Sequence, residues 1–159
     1  MSLNEIKNKN IWEIECDWIC ITTNGLLNKN GSAIMGAGLA LQAKTKVKGC
    51  EVNLGQKIKK SGNHVYQFGH LTKDKILISF PTKNNWRENS SLRLIEQSCQ
   101  ELSNLWEDEV KINPLKIPIV CLSKVGCLNS GLDYEKQVKP ILQKYFGNEK
   151  IAKWFIVCI

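Results

Sequence analysis

The sequence predicts a layered α/β domain built around a largely parallel sheet. Three observations point there. Short apolar runs alternate along the chain with segments of helical spacing. Several of these runs end in loops rich in glycine and small polar residues. No internal repeat, low-complexity tract or linker interrupts the 159 residues, so they read as one domain, 1–159, large enough to bury a core.

Taken in order, residues 18–22 (Trp-Ile-Cys-Ile-Thr) read as a buried strand, and 37–47 as a helix with Leu39, Ala40, Ala43 and Val47 on one side. A second helix covers 51–60 and closes at the turn signal Ser61-Gly62-Asn63. Residues 64–68 and 75–80 are strands joined by a polar turn near Thr72-Lys73-Asp74. From 91 to 106, Leu92, Ile95, Cys99, Leu102 and Trp106 recur at helical spacing. A strand over 117–122, a helix over 133–146 with Val138, Ile141, Leu142 and Tyr145 inward, and a strand over 153–159 complete the pattern. In sheets of this kind ligands sit beyond the carboxyl ends of the strands, so function is sought in the loops there.

Composition narrows the classes. Hydrophobic residues make up 43% and charged residues 23%, ordinary values for a globular chain. No apolar run approaches the roughly 20 residues that span a bilayer, so no membrane association is expected. The opening Met1-Ser-Leu-Asn-Glu lacks a secretion pattern, and a cytoplasmic, monomeric protein is the expectation. The seven cysteines are odd in number and widely spaced, and no C-x-x-C pair accompanies the two histidines, His64 and His70. That argues against a disulfide framework and against a metal site. Cys20, Cys121 and Cys158 lie inside apolar runs, where cysteine acts as a small hydrophobe. No cofactor is implied. A net charge of +7 favours anionic partners, although the lysines are scattered.

Three loops carry the chemistry. After the first strand come Thr22-Thr23-Asn24-Gly25 and, past an insertion, Met35, Gly36, Ala37 and Gly38 at the start of a helix. Glycines here let the backbone approach a ligand and leave helix amides open to an anion such as a diphosphate. The spacing is not the dinucleotide G-x-G-x-x-G, and a dinucleotide oxidoreductase is not expected. After strand 117–122 come Ser123, Gly126, Cys127, Leu128, Asn129, Ser130 and Gly131, a second candidate phosphate cradle. In that loop Asp133 is either a helix cap or an acid. Cys127 has the position of a nucleophile, with no histidine placed beside it by the sequence. The third loop is Phe80-Pro-Thr-Lys83-Asn-Asn-Trp86-Arg87. Its lysine is either a solvated surface charge or an amine poised to attack a carbonyl carbon.

Together, Asp17-Trp-Ile-Cys-Ile-Thr-Thr-Asn24-Gly, Met35-Gly-Ala-Gly-Leu-Ala-Leu-Gln-Ala-Lys44, Phe80-Pro-Thr-Lys83-Asn-Asn-Trp86-Arg87 and Gly126-Cys-Leu-Asn-Ser-Gly-Leu-Asp133 resemble the macrodomain family. The similarity is to the branch of the terminal ADP-ribose protein glycohydrolase and the DarG-type antitoxin macrodomains, and it covers nearly the whole chain. It implies a three-layer α/β/α fold with a mixed, largely parallel sheet, and ADP-ribose as ligand. By resemblance, Asn24 bonds the distal ribose, 35–38 form the first diphosphate loop and 126–131, with Ser123 before them, the second. Lys83 matches the lysine that attacks the anomeric carbon. Asn10 and Ile11 stand where an aspartate and an apolar residue usually meet the adenine. The sequence departs from the pattern at three places: Asn10 lacks the aspartate charge, Ser130 replaces an acid that assists the lysine in one subgroup, and Leu128 replaces a glycine.

The resemblance implies a hydrolase that reverses ADP-ribosylation, removing ADP-ribose from a DNA base or a protein carboxylate. Its partners would be ADP-ribose or an ADP-ribosylated macromolecule, single-stranded DNA among them. The alternatives are a module that binds ADP-ribose or a signal nucleotide without turnover, and a phosphatase acting on ADP-ribose 1″-phosphate.

Overall fold

A computed structural model describes residues 2–127 and 131–159. Six strands form one sheet: β1 (Asn4–Ile6), β2 (Trp18–Thr23), β3 (Gln67–Thr72), β4 (Lys75–Pro81), β5 (Val120–Leu122) and β6 (Phe155–Cys158). Their order is β1-β6-β5-β2-β4-β3, and every neighbouring pair is parallel except β3 with β4. Four α-helices accompany them: α1 (Gly38–Lys46), α2 (Cys50–Ser61), α3 (Leu92–Ile112) and α4 (Lys139–Phe146).

Strand alternation divides the core in two, because successive side chains point to opposite faces. On one face Trp18, Cys20, Phe80, Val120 and Leu122 pack with Ile95, Leu102, Leu142 and Phe146 from α3 and α4. On the other, Ile19, Ile21, Leu77 and Cys121 pack with Ala43, Leu54 and Ile58 from α1 and α2. The result is the expected three-layer α/β/α arrangement. All seven cysteines are free thiols.

Several boundaries differ from the sequence reading, each for a local reason. The strand expected at 64–68 begins at Gln67, because side chains serve the backbone before it. Val65 N donates to Glu101 Oε1 at 2.9 Å and Tyr66 N to Ser79 Oγ at 2.8 Å. The strand expected at 117–122 shortens to β5, since Pro118 has no N–H and Ile119 N is taken by Asp17 Oδ2 at 2.8 Å. Helix α3 runs six residues past Trp106 and stops only at Asn113, ahead of Pro114. The helix expected over 133–146 opens with a π-helical turn, Tyr134–Val138, in which Lys139 N donates to Tyr134 O. Pro140, at the start of α4, cannot supply the ordinary α-helical bond, and the wider turn precedes it. The last strand begins at Phe155, after a 3₁₀ turn at Ala152–Trp154.

The edge strand β1 escaped the sequence reading altogether, having only three residues and a mostly polar face. It is anchored from outside the sheet. Glu5 accepts from Tyr134 Oη at 2.6 Å and from Lys139 Nζ at 2.8 Å. Burial works against its charge, yet the bonds from Lys139 and Tyr134 hold its carboxyl below the ordinary value. A lowered folded-state value contributes stability that is present above the ordinary carboxyl range and lost as pH falls through it. Glu5→Gln is therefore expected to cost about 1–2 kcal/mol near neutral pH. The deficit should shrink as pH falls below the ordinary carboxyl range and the wild-type carboxyl takes up its proton. Thermal melts of both proteins across that range test this, and a deficit independent of pH would refute it.

Candidate functional site

The loops leaving β2, β4 and β5 meet at the carboxyl edge of the sheet around a cavity of about 780 Å³. That volume lies within the range of small-molecule sites. Ile11, Thr22, Thr23, Asn24, Gly36, Ala37, Gly38, Lys83, Trp86, Ser123, Lys124 and Gly126 all line it.

The first loop is built by Asn24. Its Nδ2 donates to Ile34 O at 3.1 Å, and its Oδ1 accepts from Leu26 N at 3.0 Å. The insertion 26–34 is thereby folded back as a small hairpin closed by the Leu27–Ala33 bridge, and Ile34 at its end lines the cavity. Among the described residues the second N–H of the Asn24 amide has no partner and is open to a ligand. The chain then passes through Met35, whose side chain is buried with Ile19 and Ile21 rather than facing the cavity. Gly36, Ala37 and Gly38 follow at the rim. Ala37 is the helix cap and has no side chain to bond the first-turn amides, so these remain open to an anion. Gly38 has φ +55°, which favours glycine, whereas Gly36 does not have a left-handed φ. A Cβ built on either would meet no atom within 4 Å.

The second loop enters through Ser123 and Lys124. Gly126 has φ +76°, which favours glycine, and a Cβ there would lie 2.8 Å from Ile95 Cδ1, so the Ile95 side chain would have to shift. Gly131 does not line the cavity and packs near Asn89. Cys127 also lies outside the lining. Burial pushes its thiol up, and its Sγ lies 3.3 Å from Val125 O, the opposite of what an activated nucleophile needs. Asp133 is a helix cap: its Oδ1 accepts from Lys136 N at 3.0 Å. Leu128, Asn129 and Ser130, all expected in the second cradle, lie outside the described residues.

Lys83 is half-buried in the third loop and donates to none of the described residues. Its backbone is pinned on both sides. Lys83 O accepts from Asn63 Nδ2 at 3.1 Å, and Asn84 O accepts from Gly25 N at 3.0 Å. Asn63 Nδ2 also reaches Asn84 Oδ1 at 3.0 Å. The turn signal at 61–63 thus supports the third loop, a role nothing in its local sequence disclosed.

Ile11 lines the cavity and begins a 3₁₀ turn, Ile11–Glu13, but Asn10 does not line it. Asn10 is exposed, and its Oδ1 caps that turn by accepting from Trp12 N at 3.0 Å. Gln42, missed by the sequence reading, lines the same cavity and accepts from Trp12 Nε1 at 2.6 Å. Trp86, to which the sequence assigned no role, and Lys124, which lies before the second-loop motif, both prove to be cavity residues.

No family model matches the chain. A DNA ADP-ribosyl glycohydrolase of Mycobacterium tuberculosis is 32% identical over 131 residues, 75% of this chain. The chain spans 34% of the length of the curated relatives it matches. Among solved structures, the macrodomain of Mycobacterium tuberculosis DarG superposes with a TM-score of 0.78 at 21% identity, over 99% of this chain and 98% of that one. Thermosipho africanus DarTG in complex with ADP-ribose gives 0.75 at 18% identity, over 98% of this chain and 41% of that one. Fold, loop placement and sequence similarity agree: the chain has the fold of the DarG macrodomains.

Proposed function

We propose that this domain binds ADP-ribose in the cavity and releases it from a modified DNA base, with Lys83 as the reacting amine. The observation that carries the proposal is the single cavity that gathers the open amides of α1, the glycine of the second loop and a lysine. The names of the relatives and the ADP-ribose bound by Thermosipho DarTG support the choice of ligand and of DNA. The rim at 36–38 receives the diphosphate, Asn24 a ribose hydroxyl, and Ile11 with Gln42 the region of the base.

The chemistry follows from the lysine. A neutral amine adds to the anomeric carbon of the distal ribose in its ring-opened form. The bond to the nucleobase breaks with its electron pair on the leaving group, and water then hydrolyses the Schiff base to return the amine. The pinned backbone on either side of Lys83 supplies the orientation that such a step needs.

The primary test is incubation with ADP-ribosylated single-stranded DNA and, separately, with glutamate-modified protein, following release of ADP-ribose from each. Release from DNA alone is the expected result, and release from protein alone would overturn the DNA assignment. Lys83→Ala should lower kcat/KM by on the order of 10³-fold while ADP-ribose still binds. Lys83→Arg should not rescue, because guanidinium stays protonated. Equal rates in wild type and Lys83→Ala would eliminate the amine mechanism. Tight ADP-ribose binding without turnover of either substrate would favour a sensing or sequestering module.

Gly36→Val offers a cleaner probe of the diphosphate rim than a change at Gly38, where positive φ adds strain. The new side chain enters open space, so the melting temperature of the free protein should be nearly unchanged. Affinity for ADP-ribose, read by calorimetry, should fall by at least about tenfold. Unchanged affinity would show that the diphosphate lies elsewhere.

A further inference from the structure

Trp86 is 48% exposed, and it alone among the exposed large apolar side chains of the described residues lines the cavity. Its loop is held rather than loose. Asn85 Oδ1 accepts from Arg87 N at 3.0 Å, and Asn85 O accepts from Glu88 N at 3.0 Å. Asn84 is tied to Gly25 and Asn63, and Ser91 N returns to Thr82 O at 2.8 Å. The guanidinium of Arg87 sits 4.8 Å from the centre of the Trp86 ring. Lys83 and Lys124 line the same cavity. An aromatic ring is thus presented to solvent on a braced turn, with one cation against it and two more in the cavity beside it.

We infer that this is a docking platform for the single strand of DNA that carries the ADP-ribose. The base adjoining the modified nucleotide stacks on the indole of Trp86, and its phosphate faces Arg87. The inference rests on the reading of the cavity as an ADP-ribose site acting on DNA, and adds where the polymer leaves it. The physical fit is specific to nucleic acid. Every nucleotide offers a flat π-face and a phosphate, which aromatic rings and cations bind with little regard to sequence. A peptide bearing a modified carboxylate offers neither at a fixed spacing. The chain's net charge of +7 acts in the same direction at longer range.

The test compares two substrates with the same linkage, a single ADP-ribosylated nucleotide and a modified single strand of about nine nucleotides. The readout is the ratio of kcat/KM for long over short, or of affinities should binding occur without turnover. Any effect on the ADP-ribose site itself divides out. Wild type should favour the long substrate by about tenfold, one stacked base with its phosphate. Trp86→Ala should bring the ratio to within about twofold of one, and Trp86→Phe should keep most of it. Arg87→Gln should flatten the dependence of the ratio on salt. A wild-type ratio near one, a ratio unchanged in Trp86→Ala, or an equal gain on lengthening a modified peptide would each overturn the platform. Failure of wild type to bind ADP-ribose at all would remove the underlying site as well. Normal handling of the short substrate with a ratio of one would remove the platform alone.

Discussion

Strand β2 has almost no side chain open to water, and the rest of the molecule is arranged around it. Ile19, Cys20 and Ile21 are fully buried, two aimed into one layer and one into the other. A strand in that position needs parallel neighbours on both edges and helices on both faces. With β4 and β5 beside it and running the same way, three loops must emerge on one edge of the sheet. The cavity is a consequence of that alignment. Its chemistry comes from polar residues that begin where the buried strands end: Thr22 and Asn24, Thr82 and Lys83, Ser123 and Lys124.

The loops are then fixed to one another by side-chain amides rather than by regular structure. Asn24 folds back the insertion and Asn63 bridges to the lysine loop, while Asn85 shapes the turn that presents Trp86. An amide suits this work because it donates and accepts at once and carries no charge that would compete with the cations for an anionic ligand. Asn10 does the same for the turn that delivers Ile11. An aspartate there could cap the turn equally well, but it would place a carboxylate near a cavity whose charged lining residues, among those described, are Lys83 and Lys124.

The sequence disclosed what periodicity and glycine placement can carry. The continuous apolar run at 18–22 and helical spacing in 91–106 located the central strand and the longest helix, because burial on both faces or on one leaves its own trace. The rims of the cavity were legible because glycines and small polar residues directly after buried strands let the backbone approach a ligand. What stayed hidden depends on partners remote in sequence. β1 is set by Tyr134 and Lys139, more than a hundred residues away, and the start of β3 by Glu101 and Ser79. Met35 falls within a motif whose backbone runs along the rim while its side chain fills the core, a distinction that a linear pattern does not encode. Gln42 was hidden by lying on a helix face read only for its apolar positions.

The π-helical turn at Tyr134–Val138 stores length. It holds one residue more per turn than an α-helix would. That surplus sits between the second cavity loop and the helix that seats Leu142 and Phe146 in the core. Loss of one residue from the turn could be absorbed by tightening it to α geometry, with α4 left in register. The segment between Asp133 and α4 therefore has slack of its own, and related chains are free to differ there by a residue without disturbing the packing beneath. The loop bearing Lys83 has no comparable reserve among the described residues, because Asn63 and Gly25 hold its start and Ser91 N returns to Thr82 O. Variation in how such a domain grips its ligand would accordingly accumulate on the β5 side, while the side bearing Lys83 keeps its length.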